Sequence, residues 1–519
     1  METTFASAAK QQAAATAALT ATTWNGAVSH STTSSARVDF FSGSVRGVTQ
    51  ERFAELLEAS YEEDALHTLK LIAYIRDCRG GKGERQLGRF ALEWLATKHP
   101  RELAHNLKFY VDDFGRFDDV IALMNTPVET EALELLSRQL KSELEKISEK
   151  DGDDSSKGGI SLCAKWIPSE NKSLDRKLQV NKKLSLHMGL STTQLRKQYL
   201  SPLRAKLRIL ERFMCSNDWE NINLNAVPSV AMHIHGRPKH AFERHLGEKY
   251  SEWKSFLKTG ETKVNAKALF PHQVVGEYLS GRHSVPDELL EAQWKVLVEE
   301  AAKMGSLEKT VVLSDVSASM YGVNIQISIA MGLLVSALAR DEYKDLVLTF
   351  ESTSRFHHVV GDSLMARVEH LKKAPWGGST NFSSAFREVL RVAKEHKLKQ
   401  DQMPERLIVV SDMQFDSADG NFETNYETLK RDFQDAGYCV PHLVFWNVNG
   451  STRDFPTYSG AASVSLVSGF STAILKSVLT GNELTPLQTM LNVVMDERYD
   501  CITIPPHDDC TQDIDGVLL

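Results

Sequence analysis

Five oxygen-bearing side chains in the second half of the chain have a spacing that suits a divalent cation. Asp315, Ser317 and Ser319 form an Asp-x-Ser-x-Ser sequence, and Thr380 and Asp412 follow farther along. Carboxylate and hydroxyl oxygens are hard ligands, which favour Mg²⁺ or Mn²⁺ in octahedral geometry over zinc. If the hydroxyls contact the metal and the carboxylates orient waters, the cation keeps its attraction for an acidic group from outside. The pattern predicts binding of a carboxylate or phosphate rather than hydrolysis.

Two catalytic alternatives fit the sequence less well. A phosphatase of the haloacid dehalogenase type needs a second Asp two positions after its nucleophile, where this chain has Ser317. A P-loop needs Gly-x-x-x-x-Gly-Lys-Ser/Thr after a strand, and the Gly-Gly-Lys-Gly sequence at 80–83 has neither that spacing nor the strand. Because the sequence shows no nucleophile–base pair at a recognisable motif spacing and no cofactor motif, we do not expect an enzyme.

Basic residues concentrate between positions 165 and 212 of an otherwise acidic chain. This segment has 12 basic and 3 acidic residues, whereas residues 112–155 have 13 acidic and 5 basic residues. A local excess of positive charge is typical of a surface that binds phosphates. In the alternative interpretation, the basic segment pairs internally with the acidic segment before it. The candidate RNA contacts in the segment are Lys165, Lys172, Arg176, Lys177, Arg196, Lys197, Arg204, Lys206, Arg208 and Arg212.

Further residues of the first half extend this expectation. The rings of Trp166, Tyr199 and Trp219 could stack unpaired bases. A metal site in the stretch 233–240 is disfavoured, because no carboxylate lies among its histidines and no cysteine lies nearby. The remaining candidate phosphate contacts are Arg76, Arg79, Lys82, Arg85, His233, His235 and Arg237.

The elements that must position these residues change near residue 305. From about residue 48 to 300, apolar residues recur at intervals of three and four, which predicts helices in series, one of them over 193–215. Beyond residue 308, β-rich runs alternate with helical stretches, which predicts a doubly wound parallel sheet. Ligands bind outside the carboxyl ends of such strands, where Asp315 and Asp412 are expected. The strands are predicted at 310–314, 346–350, 407–411, 441–446 and 464–467.

The chain is expected to divide into four segments. Residues 1–22 are rich in Ala and Thr, which predicts a disordered arm. A helical domain is expected over 23–304, an α/β domain over 305–497 and a C-terminal tail over 498–519. The fold class is therefore multi-domain, with a helical-repeat domain followed by an α/β domain.

Composition and charge exclude several classes of protein. The 519 residues include 60 Lys and Arg against 68 Asp and Glu, a net charge of −8, which excludes a uniformly cationic protein. The six cysteines form no Cys-x-x-Cys pair, which disfavours a zinc ribbon and indicates reduced thiols. The most apolar run, 325–339, is shorter than a membrane helix, and we see no secretory or transit signal. We expect a soluble, cytoplasmic protein.

The second half resembles the von Willebrand factor A domain. The metal-ion-dependent adhesion site of that family is Asp-x-Ser-x-Ser with a distant Thr and Asp, and Asp315, Ser317, Ser319, Thr380 and Asp412 match it residue by residue. The resemblance implies a Mg²⁺ or Mn²⁺ site that binds an acidic ligand. The alternative is the same fold with a site that is empty or merely structural.

The whole succession of motifs resembles the domain-of-unknown-function family 2828. The resemblance is carried by the strings at 76–85, 114–119, 161–169, 199–204, 227–229, 270–272, 443–449 and 466–471. More distantly, the architecture is similar to that of the Ro ribonucleoprotein autoantigens, in which a helical-repeat TROVE domain, HEAT-like in character, precedes a von Willebrand A domain. That similarity implies binding of small or misfolded non-coding RNA.

The leading expectation is a non-enzymatic RNA-binding protein whose A-like domain is a second, metal-dependent binding module. The alternative is a protein-interaction scaffold, in which the metal binds an acidic residue of a protein partner. We expect no membrane partner.

Overall fold

A computed structural model describes residues 20–148, 159–305, 307–350, 354–374, 381–416, 424–479 and 484–506. Contacts within the chain separate it into two compact units, and neither unit is one continuous stretch. The first takes in the described residues of 1–64, 74–87 and 208–496, and the second those of 65–73, 88–207 and 497–519. The domain boundaries predicted from the sequence follow chain order and stay a prediction.

The strands belong to a hairpin and to a sheet, both in the first unit. The hairpin pairs β1 (Thr20–Thr22) with β2 (Val28–His30) in antiparallel fashion, so residues 20–22 are not part of a disordered arm. The sheet has six strands in the order β5-β4-β3-β6-β7-β8. They are β3 (Thr310–Asp315), β4 (Leu346–Phe350), β5 (Arg355–His358), β6 (Arg406–Ser411), β7 (His442–Asn447) and β8 (Val464–Ser468).

The sheet is mixed rather than wholly parallel, which corrects the sequence-based prediction. The five predicted strands are confirmed and pair in parallel, but β5 pairs antiparallel with β4 at the edge. All of β3 and β8 is buried, and the apolar runs that made such strands predictable follow from burial on both faces. The sequence Arg-Phe-His-His of β5 is at most half-buried, so it has no such run.

Helices pack against the apolar side chains of the sheet. The helix Val323–Leu338 packs on β3, β4 and β6. The ring of Phe382, at the start of another helix, contacts Phe386, Phe415 and Phe445 at centroid distances between 4.5 and 5.7 Å. The helices of this region are Val323–Leu338, Leu364–Leu371, Phe382–Glu395, Asn425–Asp435, Leu475–Leu479 and Pro486–Val494.

The region before the sheet is helical, as predicted. The predicted helix over 193–215 is wrong, because a π-helical turn (Arg196–Leu200) interrupts it and Arg208, at a φ of 45°, ends the α-helical course. The α-helices are Ala36–Gly43, Gln50–Glu63, Ala65–Arg76, Arg85–Lys98, Pro100–Phe109, Phe117–Ile121, Glu129–Ser148, Cys163–Trp166, Ser173–Leu178, Val180–His187, Thr192–Leu195, Ser201–Lys206, Leu210–Cys215, Ser229–His235, Ala241–Leu246, Glu248–Thr259, Pro271–Leu279 and Glu288–Ala302.

The last described residues pack inside the second unit rather than trailing as a tail. The side-chain amide of Asn106 donates to the backbone oxygen of Thr503 at 2.8 Å and accepts from its N–H at 3.0 Å. The ammonium of Lys70 lies 2.9 Å from the Asp500 carboxylate. These contacts hold residues 500–503 against the helices Ala65–Arg76 and Pro100–Phe109.

Lys82 is completely buried in the first unit, at the carboxyl end of β8. Its ammonium donates to the backbone oxygens of Phe41 and Ser44 and, at 2.7 Å, to the hydroxyl of Ser468. Arg76 is also buried. The prediction that these two cations contact RNA phosphates is therefore wrong for this fold, because neither charge reaches the surface.

The sequence strings at 76–85, 270–272 and 466–471 meet around this lysine. The guanidinium of Arg46 lies over the rings of Phe270 and Phe470, at 5.1 and 4.8 Å from their centroids, and pairs with Glu84 at 3.0 Å. Three of the strings that carry the family resemblance therefore form one cluster around the buried Lys82, which ties segments distant in the chain to β8.

Replacing Lys82 by Met should reveal the charge state of this lysine through the pH dependence of stability. Burial lowers the pKa of Lys82 to about 7 in the folded protein, whereas an exposed lysine titrates near 10.5. Between these pH values the unfolded chain binds one proton more than the folded chain, so the stability of the wild type should rise with pH. Compared with the Lys82→Met variant, the wild type should therefore increase its unfolding free energy by up to about 1.4 kcal/mol for each pH unit in this range.

Urea unfolding of both proteins, followed between about pH 6 and pH 9.5, measures this difference. A difference that stays constant above pH 7 would contradict the account, because it would mean that the folded protein keeps the proton on Lys82.

Candidate functional site

The parallel pairing of β3 with β6 brings two of the predicted site residues to one edge of the sheet. Ser314 lies opposite Val410 in the register, so the chain leaves both strands at the same level, through Asp315 and Asp412. The carboxylate of Asp315 is fixed through both oxygens. Oδ1 accepts the N–H of Ser317 at 2.9 Å, and Oδ2 accepts the Ser411 hydroxyl at 2.5 Å.

Hydroxyl groups and the second carboxylate complete the cluster. The oxygens of Ser317 and Ser319 lie 3.0 Å apart, and the Ser319 hydroxyl also bonds the carboxylate of Asp412. Oδ1 of Asp412 accepts the N–H of Gln414 at 3.1 Å. The structure therefore brings together four of the five predicted site residues, while Thr380 lies outside the described residues.

Burial disfavours the charged forms of the two carboxylates. Asp315 and Asp412 are both buried, whereas the Ser319 side chain is exposed. Burial, followed by the charge of Asp412, raises the pKa of Asp315 to about 6. Burial likewise raises the pKa of Asp412, against hydrogen bonds that lower it. A cation beside these groups would stabilise their charged forms.

The donor set fits a hard divalent cation. Carboxylates and hydroxyls are the ligands of Mg²⁺ and Mn²⁺, and the exposed Ser319 leaves one side of the cluster accessible. Within the described residues, no group of three or more His, Cys, Asp and Glu side chains could hold a metal. The candidate site therefore depends on its hydroxyls as much as on its two carboxylates.

One residue of the cluster was missed by the sequence reasoning. The side-chain amide of Asn449, which follows β7, hydrogen-bonds the carboxylate of Asp412. The hydroxyl of Thr452, in the same loop, donates to the backbone oxygen of Asp412 at 2.7 Å. The rule that pointed to the carboxyl ends of β3 and β6 also covers β7, so the polar sequence at 447–449 was the available signal.

The β1–β2 hairpin lies against the loop that follows Asp412. The backbone N–H of Trp24 donates to the side-chain oxygen of Gln414 at 2.6 Å, and the Asn25 amide donates to the backbone oxygen of Gln414 at 2.8 Å. The Thr23 hydroxyl donates to the backbone oxygen of Phe415 at 2.7 Å. The N-terminal segment therefore forms part of the rim of the candidate site.

Many predicted RNA contacts lie on the surface of the second unit. Seven basic side chains of its helical segment 172–206 are exposed, and among the described residues none of them forms an ion pair. We call this set the basic surface, and it includes Lys182, which was not among the predicted contacts. Its members are Lys172, Arg176, Lys177, Lys182, Arg196, Lys197 and Lys206.

Other cations near this segment have structural partners. The guanidinium of Arg204 donates to the backbone oxygens of Ala164 and Ile167, at 2.8 and 2.6 Å, and burial lowers its pKa. Lys183 pairs with Glu129 at 2.6 Å. Lys165, which is half-buried, lies over the ring of Trp166. The proposed internal pairing with the acidic segment therefore accounts for Lys183 but not for the basic surface.

The predicted contacts of the first unit are divided between surface and interior. Arg79, Arg85, Arg208 and Arg212 are exposed, and His235 is half-buried. Lys82, His233 and Arg237 have partners inside the unit.

His233 is buried, and its Nδ1 lies 3.0 Å from the side-chain oxygen of Gln293. Arg237 pairs with Glu277 at 2.6 Å. His233 is thus no surface contact, which corrects its prediction.

The aromatic side chains predicted to stack bases are largely covered. Trp219 is buried and stacks on His245 with its ring centroid 4.0 Å away. Trp166 and Tyr199 are half-buried. The prediction for Trp219 is wrong, because its ring packs in the hydrophobic core around Met232 and Phe242.

Among the described residues, no helix has the length and apolar character needed to cross a membrane.

Comparisons with known proteins cover nearly the whole chain. The profile described as Domain of unknown function (DUF2828) matches residues 23–134 and 187–307, and that described as Domain of unknown function (DUF7788) matches residues 309–504. An uncharacterized protein of Acanthamoeba polyphaga mimivirus is 31% identical over 503 residues, which cover 91% of this chain and 86% of the viral protein. The chain therefore belongs to the family defined by the Domain of unknown function DUF2828.

Proposed function

We propose that this protein binds RNA through the basic surface and that its candidate cation site is a second binding module for an acidic group. The observation that carries the RNA proposal is the exposure of seven cations with no ion-pair partner among the described residues. Unpaired cations on a surface release the counterions of a polyphosphate when it binds, which favours nucleic acid as the ligand. The RNA class we propose is small or misfolded non-coding RNA.

The arrangement of helices supports one continuous binding surface. The helices Val180–His187 and Thr192–Leu195 pack against each other, and the turn Arg196–Leu200 packs against both Thr192–Leu195 and Ser201–Lys206. Four of the seven cations, Lys182, Arg196, Lys197 and Lys206, lie on these packed elements. A TROVE-like domain related to the Ro ribonucleoprotein would present its cations in this way, and we include that relationship in the proposal.

The candidate cation site supports the second part of the proposal. The Asp-x-Ser-x-Ser turn after β3, Asp412 after β6 and the parallel order of the central strands favour a von Willebrand A-like domain. When bound, Mg²⁺ or Mn²⁺ would supply positive charge for an acidic ligand. Ser317, Ser319 and Asp412 would hold it, and Asp315 would be oriented by Ser411.

A binding role suits these hydroxyls better than a catalytic one. The hydroxyl partners of Ser317 and Ser319 are each other and the buried carboxylates of Asp315 and Asp412. A catalytic serine needs a base such as histidine to accept its proton. The second candidate function, a scaffold whose cation binds an acidic residue of a protein partner, rests on the same cluster.

Charge reversal on the basic surface should abolish most RNA binding. The variant replaces Arg176, Lys182, Arg196 and Lys197 by Glu and leaves the structural Arg204 intact. Its affinity for an unstructured RNA at low salt should fall at least about tenfold, with the log–log salt dependence shallower by about 0.7 for each lost contact. Fluorescence anisotropy across a salt series measures both quantities.

A matched control reverses four exposed lysines of the same unit outside the basic surface, namely Lys98, Lys108, Lys141 and Lys146. It changes the net charge equally and should retain most of the affinity. Equal losses of RNA affinity in the two variants would contradict the proposal. So would a wild-type protein that does not bind RNA at low salt.

Mg²⁺ or Mn²⁺ should stabilise the folded protein through the candidate site. A cation at one hundred times its dissociation constant contributes about 2.7 kcal/mol of stability, which raises the melting temperature by several degrees. Asp315→Asn and Ser319→Ala should remove this rise, whereas the exposed Ser451→Ala, in the loop after β7, should keep it. A thermal melt with and without EDTA gives the result, and an undiminished Mn²⁺ effect in Asp315→Asn would exclude the site.

A further inference from the structure

The two most exposed large apolar side chains of the described residues both lie beside the candidate cation site. Trp24 is 92% exposed and Tyr321 is 91% exposed. Other exposed apolar residues, such as Leu186 at 77%, are scattered over the two units. Single exposed apolar residues are common on protein surfaces, but two at one site point to a ligand.

Trp24 is held close to the acidic cluster by a short chain of hydrogen bonds. Its backbone N–H donates to the side-chain oxygen of Gln414, and the backbone N–H of Gln414 donates to the carboxylate of Asp412. Thr23 and Asn25 anchor the residues on either side to the same loop. The ring is therefore exposed on a fixed backbone rather than at a frayed end.

Tyr321 follows the hydroxyl-bearing turn directly. It comes two residues after Ser319, and the intervening Met320 is buried, which anchors the turn. Gly322, at a φ of 84°, then redirects the chain into the helix Val323–Leu338. The turn that contributes two hydroxyls to the cluster thus also presents an aromatic ring to solvent.

The exposure of the two rings favours a flat partner. A side chain of a peptide ligand gains affinity by filling a desolvated pocket, and rings more than nine-tenths exposed form no wall of such a pocket. A nucleobase needs only a free ring face, on which it stacks. A phosphate group, in turn, suits a hard divalent cation.

We propose that the carboxyl edge of the sheet is a nucleotide subsite for single-stranded RNA. A phosphate of the strand binds at the cation site formed by Ser317, Ser319 and Asp412, and neighbouring bases stack on Trp24 and Tyr321. This inference rests on the proposed RNA function and assigns that function a second contact, in the first unit.

The test compares two labelled probes of equal charge, hexa-adenylate and an abasic strand with the same number of phosphates. Trp24→Ala and Tyr321→Ala should each weaken hexa-adenylate binding about tenfold and leave the abasic strand unchanged. EDTA or Asp315→Asn should weaken both probes. The matched control is Phe256→Ala, which removes an exposed ring from the helix Glu248–Thr259, outside the candidate site. It should change the affinity for neither probe.

Tryptophan fluorescence provides an independent readout, because a base stacked on Trp24 should quench part of the emission in the wild type and not in Trp24→Ala. Hexa-adenylate affinity that falls in the basic-surface variant but not in the two aromatic variants would overturn this inference and leave the RNA function standing. Wild-type protein that binds no RNA probe would overturn both.

A third probe, an acidic peptide containing Asp and Trp, tests the alternative ligand. If its cation-dependent binding is lost in Trp24→Ala while hexa-adenylate binding is not, the edge binds a protein ligand and the nucleotide subsite is excluded.

Discussion

The parallel pairing of β3 with β6 is the constraint on which the candidate site depends. It places Asp315, the last residue of β3, level with Ser411, one residue before Asp412, and the Ser411 hydroxyl of β6 then bonds the Asp315 carboxylate. The helix Val323–Leu338 can lie close to β3 because residue 332 is glycine, where an added Cβ would lie 2.1 Å from the Ser314 hydroxyl oxygen. Burial raises the pKa values of both carboxylates, and the charge of Asp412 adds to the rise at Asp315.

The N-terminal residues are integrated with the same sheet edge at two places. The β1–β2 hairpin bonds the loop after Asp412, and the buried Lys82 links Phe41 and Ser44 to Ser468 at the end of β8. The first compact unit therefore contains parts of both regions that the two family profiles match. Burial accounts for two of the four basic residues in the string at 76–85, Arg76 and Lys82, whereas Arg79 and Arg85 are exposed.

The sequence was informative where a pattern is local. Apolar runs located the central strands to within a residue or two, and the spacing of Asp315, Ser317, Ser319 and Asp412 identified a cluster that the structure brings together. Charge counts could not separate Arg204, which bonds backbone oxygens, from exposed cations such as Lys197.

Some contacts between distant segments could not be predicted, because local sequence patterns carry no information about them. Asn449 beside Asp412, and Trp24 beside Gln414, depend on a tertiary arrangement that no local pattern records.

The decisive experiment is photo-cross-linking of a 4-thiouridine-labelled single-stranded RNA to the wild-type protein, with peptide mapping. We expect cross-links in peptides from two places, the basic surface at 172–206 and the sheet edge at Trp24 or Tyr321, with those at the edge lost in EDTA. Cross-links confined to other parts of the chain, or none above background, would contradict this expectation.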